Sequence, residues 1–190
     1  MKALALFVLA LSTLVASVDE IAIGADAPGF ALVNAADGET VTMTPADGNT
    51  KVVVFTSDRC AEATAFDARI IELANKFGQQ GVRFYVINVR HPQSTLTVMK
   101  ALAVEKEYPF PYLQDEDAGG SIARAYGARV TPHAFVVDGS GKLQYRGYID
   151  NSPKVSERET TALSNALGAI MNGREVANAE TQPFGCGTER

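Results

Sequence analysis

The sequence predicts an α/β protein built on a mixed central sheet flanked by helices, and three observations carry this. Two continuous apolar runs, Lys51 to Thr56 and Val82 to Val89, suit strands buried on both faces. Between them, from Ala61 to Phe77, Phe66, Ile70, Leu73, Ala74 and Phe77 recur at helical spacing, with Asp67, Arg69, Glu72 and Lys76 off that stripe. Towards the C-terminus the tight-turn signal "DGSGK" joins the extended run Ala134 to Asp138 to Leu143 to Ile149, which adds an antiparallel hairpin to a parallel centre.

The remaining elements follow in order. Phe30 to Val33 and Glu39 to Met43 are short extended runs joined around Asp37-Gly38, a hairpin dipeptide. Ser57 or Asp58 can cap the helix that starts at Ala61, and Gly78 and Gly81 bracket its end. Pro92 and Ser94 lead into a helix from Thr95 to Tyr108. Pro109 and Pro111 break it and set an extended segment through Leu113. Gly119 and Gly120 precede a short helix, Ser121 to Tyr126, and Thr160 to Met171 forms the last helix, with Leu163, Leu167, Ile170 and Met171 on one side. Residues 173–190, "NGREVANAETQPFGCGTER" with its preceding Asn172, read as a polar, irregular tail.

Export is expected. Lys2 supplies a positive start, Ala3 to Val15 is apolar, and Val15-Ala16-Ser17 fits a signal-peptidase site, so residues 1–17 read as a signal peptide cut after Ser17. That apolar run is shorter than the ~20 residues a bilayer span needs, so no stable membrane anchor is expected after cleavage. Residues 18–172 then form one domain, and 173–190 its tail. A net charge of −5 without a long Lys/Arg run argues against nucleic acid as a partner, because phosphate contacts need clustered positive charge.

The chain holds two cysteines, Cys60 and Cys186. Cys60 follows a buried strand and opens a helix, where free amides and the helix dipole favour a thiolate. Arg59 and Arg69 can add to this, while Asp58 and Glu62 oppose it. The competing reading is a buried, inert cysteine. In an oxidising compartment the pair can form one disulfide, tying the tail across the helix start and stabilising the fold by up to roughly 5 kcal/mol; two unrelated free thiols are the alternative. In Val130-Thr131-Pro132-His133, the proline is either a strand's first residue or cis. His133 is a proton-shuttle or ligand candidate, although a lone histidine is more often structural; His91, beside Pro92, is a weaker one.

The blocks "GADAPGFALVNAADGETVTM", "VVVFTSDRC" leading into a helix, and "PFPYLQDEDAGGSIARAYGARVTPHAFVVDGSGKLQYRGYID", in that order, resemble the redoxin branch of the thioredoxin-like superfamily from about Gly24 to Met171. That branch includes alkyl hydroperoxide reductase/thiol-specific antioxidant domains and exported thiol-disulfide oxidoreductases. The resemblance implies a thioredoxin-like fold with an N-terminal β-hairpin and a central insert. It also implies that Pro132 is a cis-proline beside the active site, with Thr131 and His133 next to it in a substrate-binding loop where Thr131 offers backbone to a bound thiol or peptide. Two departures matter. Ser57 stands where the first cysteine of a Cys-x-x-Cys pair would be, which rules out dithiol exchange within one motif. A serine at that place is peroxiredoxin-like, but Val53 replaces the peroxiredoxin proline and Pro132 stands about where its later arginine is expected.

The function expected is therefore an exported thiol oxidoreductase or peroxidase with Cys60 as reactive thiol, Ser57 donating a hydrogen bond to it, and Cys186 as resolving partner. Its substrate would be a peroxide or a disulfide, its reductant an external thiol; no cofactor and no resident metal is expected. A non-catalytic binding or scaffold domain with a structural Cys60–Cys186 bond is the alternative. Copper handling through Cys60 and His133 is a weaker third.

Overall fold

The computed structural model describes residues 20–89, 92–115 and 120–188; the expected signal peptide, His91 and Gly119 lie outside them. Nine strands and five α-helices follow one another among the described residues. The first are β1 (Phe30–Asn34), β2 (Thr40–Met43) and β3 (Lys51–Thr56), then α1 (Ala61–Thr64) and α2 (Asp67–Gly78). β4 (Arg83–Val89), α3 (Leu96–Glu105), β5 (Tyr112–Asp115) and α4 (Ser121–Tyr126) form the middle. β6 (Val130–Thr131), β7 (His133–Val137), β8 (Leu143–Gly147), α5 (Ala162–Met171) and β9 (Cys186–Gly187) complete it. Seven strands make one mixed sheet in the order β2-β1-β5-β4-β3-β7-β8, and β6 pairs separately with β9.

The expected parallel centre is β3–β4–β5, and the C-terminal hairpin adds β7 antiparallel to β3. All six residues of β3 are buried. Val52 and Val54 face α2, α3 and α5 in a cluster with Phe66, Ile70, Met99 and Leu167. Val53 and Phe55 face the opposite side, with Phe135, Leu143 and Tyr126 of α4. The one charged residue in the strand, Lys51, is fully buried. Its ammonium donates to the carbonyls of Pro45 (2.5 Å) and Asn49 (2.8 Å) and pairs with Asp47, so its charge is met by oxygens on all sides.

The single helix expected from Ala61 to Phe77 is instead two. The break lies at Ala65 and Phe66, where Phe66 drives its ring fully into the core. The Ala65 carbonyl then accepts from Arg69 Nη2 at 2.9 Å rather than from a helical amide. Arg69 is nearly buried. Its guanidinium lies 3.9 Å over the Phe66 ring and donates to both carboxylate oxygens of Asp150 (2.7 and 2.8 Å) and to the carbonyls of Ser152 and Pro153 (2.6 Å each). It is a clamp between the helix break and the segment after β8, and so does not serve Cys60 as a charge partner.

The tail also differs from expectation. Although mostly irregular, it runs docked along the sheet edge: Arg146 N–H donates to the Ala179 carbonyl at 2.9 Å, and Thr181 N–H donates to the Arg146 carbonyl at 3.0 Å. Thr181 Oγ1 accepts from Tyr148 N at 3.1 Å, and Phe184 lies between Phe66 and Tyr148.

Arg69→Met should lower the unfolding free energy by about 3–5 kcal/mol, because buried Asp150 loses the guanidinium that donates to both its oxygens and keeps only Arg158 at 4.0 Å and the Ser152 amide. Replacing both residues by apolar ones should cost clearly less. Urea denaturation of the single and double variants measures the difference.

Candidate functional site

The site lies where the chain leaves β3 and enters β7. The last pair of the β3–β7 ladder is Phe55 with His133, so residues 57–60 and residues 130–132 emerge at the same end of the sheet. The turn after β3 is pinned from β4: Asp58 N donates to Asn88 Oδ1 and Asn88 Nδ2 donates back to Asp58 Oδ1, both at 3.3 Å. Ser94 Oγ also donates to Asp58, and Arg59 donates to the Gln93 carbonyl at 3.0 Å. Asn88 and Ser94 had no signal in the sequence beyond being polar residues at the edges of a strand and a helix.

Cys60 itself caps α1. Its backbone is extended (φ −113, ψ 114) and its Sγ accepts from Ala63 N–H at 3.4 Å, so neither Ser57 nor Asp58 takes the expected capping place. Ser57 Oγ instead accepts from Arg59 N–H at 3.2 Å, and among the described contacts none joins it to a sulfur. The Cys60 side chain is 2% exposed. Across from it lies the Thr131 carbonyl, 3.4 Å from Sγ, and the Thr131–Pro132 peptide bond is cis, as the resemblance implied.

Cys60 and Cys186 are joined in a disulfide that spans 126 residues of sequence, with their Cα atoms 5.9 Å apart. The tail reaches this position as an added strand: Val130 pairs with Gly187 and Thr131 with Cys186. Thr188 N–H extends the ladder to the Arg129 carbonyl at 2.9 Å. Gly185 has φ +139, and a Cβ there would stand 2.0 Å from the Thr131 carbonyl oxygen. Only glycine lets the tail come this close.

Glu62, in the first turn of α1, reaches over the bridge. Its Oε2 lies 3.5 Å from Cys60 Sγ and 3.3 Å from Cys186 Sγ. These three atoms fall within 4.8 Å of one another, a spacing that a metal ion could use; with the sulfurs joined, no thiolate pair is offered to one.

His133 has turned the other way. It is 1% exposed, its ring lies tilted against Phe135 (centroids 4.3 Å apart), and among the described residues neither ring nitrogen has a hydrogen-bond partner. Burial, and secondarily the Arg146 charge, pushes its pKa down to about 3. Of the expected site residues, the structure thus brings Cys60, Cys186, Thr131 and Pro132 together. Ser57 stays on the neighbouring turn, and His133 is part of the core.

A helix-opening cysteine set against a cis X–Pro peptide at the end of a mixed sheet defines the chain as a thioredoxin-like protein with a disulfide at its centre. The AhpC/TSA family profile matches residues 23–146, and the chain belongs to that family. Among solved structures, an uncharacterized conserved protein from Geobacillus kaustophilus is 32% identical, with 89% of this chain and 92% of that one covered at a TM-score of 0.81. A hypothetical protein from Sinorhizobium meliloti 1021 is 30% identical, covering 90% and 95% at 0.79. A putative thiol:disulfide interchange protein DsbE from Chlorobium tepidum shares the fold at 18% identity, covering 81% and 98% at 0.62. No curated protein matches the sequence.

The buried histidine has a consequence for pH. His133 binds a proton below about 3 when folded, against 6.5 as the ordinary value, so the unfolded chain holds the extra proton in between. Stability is therefore complete above pH 6.5 and falls as pH drops towards 3, by up to about 1.4 kcal/mol per pH unit from this residue. Urea unfolding of wild type and His133→Leu across pH 4–7.5 should give a shallower slope for the variant, whose stability at neutral pH is equal or higher. Superimposed profiles would show that His133 titrates normally in the fold.

Proposed function

We propose that the chain is an exported thiol-disulfide oxidoreductase of the AhpC/TSA family, and that its working centre is the Cys60–Cys186 bond. The observation that carries this is the asymmetry of the two sulfurs. Cys60 is buried at a helix start with an amide directed at its Sγ, while Cys186 is half-exposed on the docked tail. The sulfur that an external thiolate can reach is that of Cys186, and the sulfur best able to leave as a thiolate is that of Cys60. A substrate thiolate bonds to Cys186 Sγ, the Cys186–Cys60 bond breaks, and its electron pair stays on Cys60, which takes a proton from solvent. A second substrate thiol, as thiolate, then attacks the substrate sulfur of the mixed disulfide. This releases Cys186 as a thiol and leaves the substrate oxidised. In reverse, Cys60 thiolate is the nucleophile that closes the bridge.

This reading divides the roles differently from the one expected in sequence: Cys186 is the exchanging sulfur and Cys60 the resolving one. Peroxide is a second way to restore the bridge. Cys60 thiolate attacks one oxygen of the O–O bond and becomes a sulfenic acid; the other oxygen leaves, taking up a proton, as water or an alcohol, and Cys186 thiol condenses with the sulfenic acid to give the disulfide and water. The apolar leader Ala3 to Val15, with its Val15-Ala16-Ser17 end, supports delivery to an oxidising compartment where such a bond persists.

Cys60→Ser and Cys186→Ser should each abolish oxidation of a model dithiol peptide, with at least about a hundredfold loss of rate, while far-ultraviolet circular dichroism stays native. Mass spectrometry after native treatment with millimolar dithiothreitol should find the bridge opened. If it opens only in denaturant, the bond is structural and the domain a scaffold. N-terminal sequencing of protein recovered from the exported fraction should begin after Ser17.

A further inference from the structure

The first turn of a helix favours an acidic residue for electrostatic reasons alone, and Glu62 meets that condition without having to approach a sulfur. Yet its carboxylate is placed 3.5 and 3.3 Å from the two halves of the bridge, and the residue is exposed, so it stands where an incoming thiol must pass. Among the described residues, three other charged groups near the turn are engaged with partners of their own. Asp58 is held by Asn88 and Ser94, Arg59 by the Gln93 carbonyl and Asp58, and Arg69 by Asp150. The Thr131 carbonyl oxygen also lies 3.4 Å from Cys60 Sγ, facing the Ala63 N–H that donates to the same sulfur at 3.4 Å, so Glu62 is the full charge beside the bridge among the described contacts.

From this we infer that Glu62 is a specificity-determining residue: it makes the Cys60–Cys186 bridge select thiols carried on cationic or neutral groups and reject small acidic thiols of the glutathione kind. The inference rests on the proposal that the bridge exchanges. When a thiolate attacks Cys186, negative charge spreads along three sulfurs in line, and the carboxylate touches two of them. It therefore slows exchange with every thiol. The charge on the remainder of the thiol adds a second contribution, attractive for an ammonium and repulsive for a carboxylate, at a range where unscreened charges still matter. A protein partner would match this site by presenting its cysteine beside Lys or Arg.

The test uses the full oxidised protein and three thiols that differ mainly in charge: cysteamine, 2-mercaptoethanol and 3-mercaptopropionate. Bridge opening is followed by acid quench, alkylation and mass spectrometry, and each rate is expressed per thiolate. The wild-type preference for cysteamine over 3-mercaptopropionate should fall about tenfold in Glu62→Gln at low ionic strength. It should invert in Glu62→Lys, and narrow in the wild type at high salt. Comparing the same two thiols across variants cancels their intrinsic reactivities. A preference that stays within about twofold of wild type in both variants overturns the charge filter and leaves the exchange reading intact. A bridge that none of the three thiols opens overturns the exchange reading, and the filter with it.

Discussion

The constraint on which the site depends is the burial of β3 between β4 and β7. A strand with all six residues buried has no freedom of register: a slip of one residue would exchange Val52 and Val54 for Val53 and Phe55 between two differently packed faces. The register fixed by that packing ends with Phe55 opposite His133 and Thr56 opposite Asn88. The first pair sets the Thr131–Pro132 loop beside the chain leaving β3, and the second sets Asn88 under the turn that carries Cys60. Position within the sheet thus does most of the work of placing a sulfur 3.4 Å from the Thr131 carbonyl.

The second sulfur arrives by a different route. Cys186 sits on a strand that adds to Val130–Thr131, held upstream by Thr181 on the β8 edge and by Phe184 between Phe66 and Tyr148. The bond closing this 126-residue separation restricts the unfolded chain and stabilises the fold by at most about 5 kcal/mol. The non-covalent contacts matter for chemistry rather than for stability alone. They act on the same segment as the bond, and any docking raises the effective concentration of one sulfur at the other.

Much of this was legible in sequence because it rests on periodicity. The apolar runs of β3 and β4, the "DGSGK" hairpin and the Ser121–Tyr126 helix carry their own local signals, and each lies within a residue or two of its expected place. What was not legible depends on partners distant in sequence. The helix after Cys60 breaks where Phe66 enters the core and where Arg69, tied to Asp150 beyond β8, takes the Ala65 carbonyl. The tail is polar and lacks a pattern of its own; its order comes from backbone pairing with strands already formed. Cysteine as a helix cap gives no recognisable pattern, and Ser57 and Asp58 had the better capping chemistry on composition alone. Asp115 is similar. It is buried at the end of β5, where its carboxylate accepts from the amides of Ser121, Ile122 and Ala123 and so caps α4 from outside the helix.

Placing the second cysteine on a tail, with Ser57 in the nearby position, changes what opening the bond means. In a pair on one turn, both sulfurs are fixed by the same backbone, and reduction alters little else. Here the bond and the docking of the tail share one free energy. Reduction removes the covalent restraint and leaves the non-covalent ones on residues 184–188: the β6–β9 ladder, the Phe184 contacts, the Gly185 approach and the Thr188 hydroxyl, which donates to the Ala128 carbonyl at 3.0 Å. By linkage, whatever strengthens that docking favours the closed bridge, and whatever competes for the Val130–Thr131 edge favours the open one. The stability of the bridge then depends partly on what surrounds the sulfurs, where Ala63 N–H and the Glu62 carboxylate lie, and partly on how firmly a short strand stays on its edge.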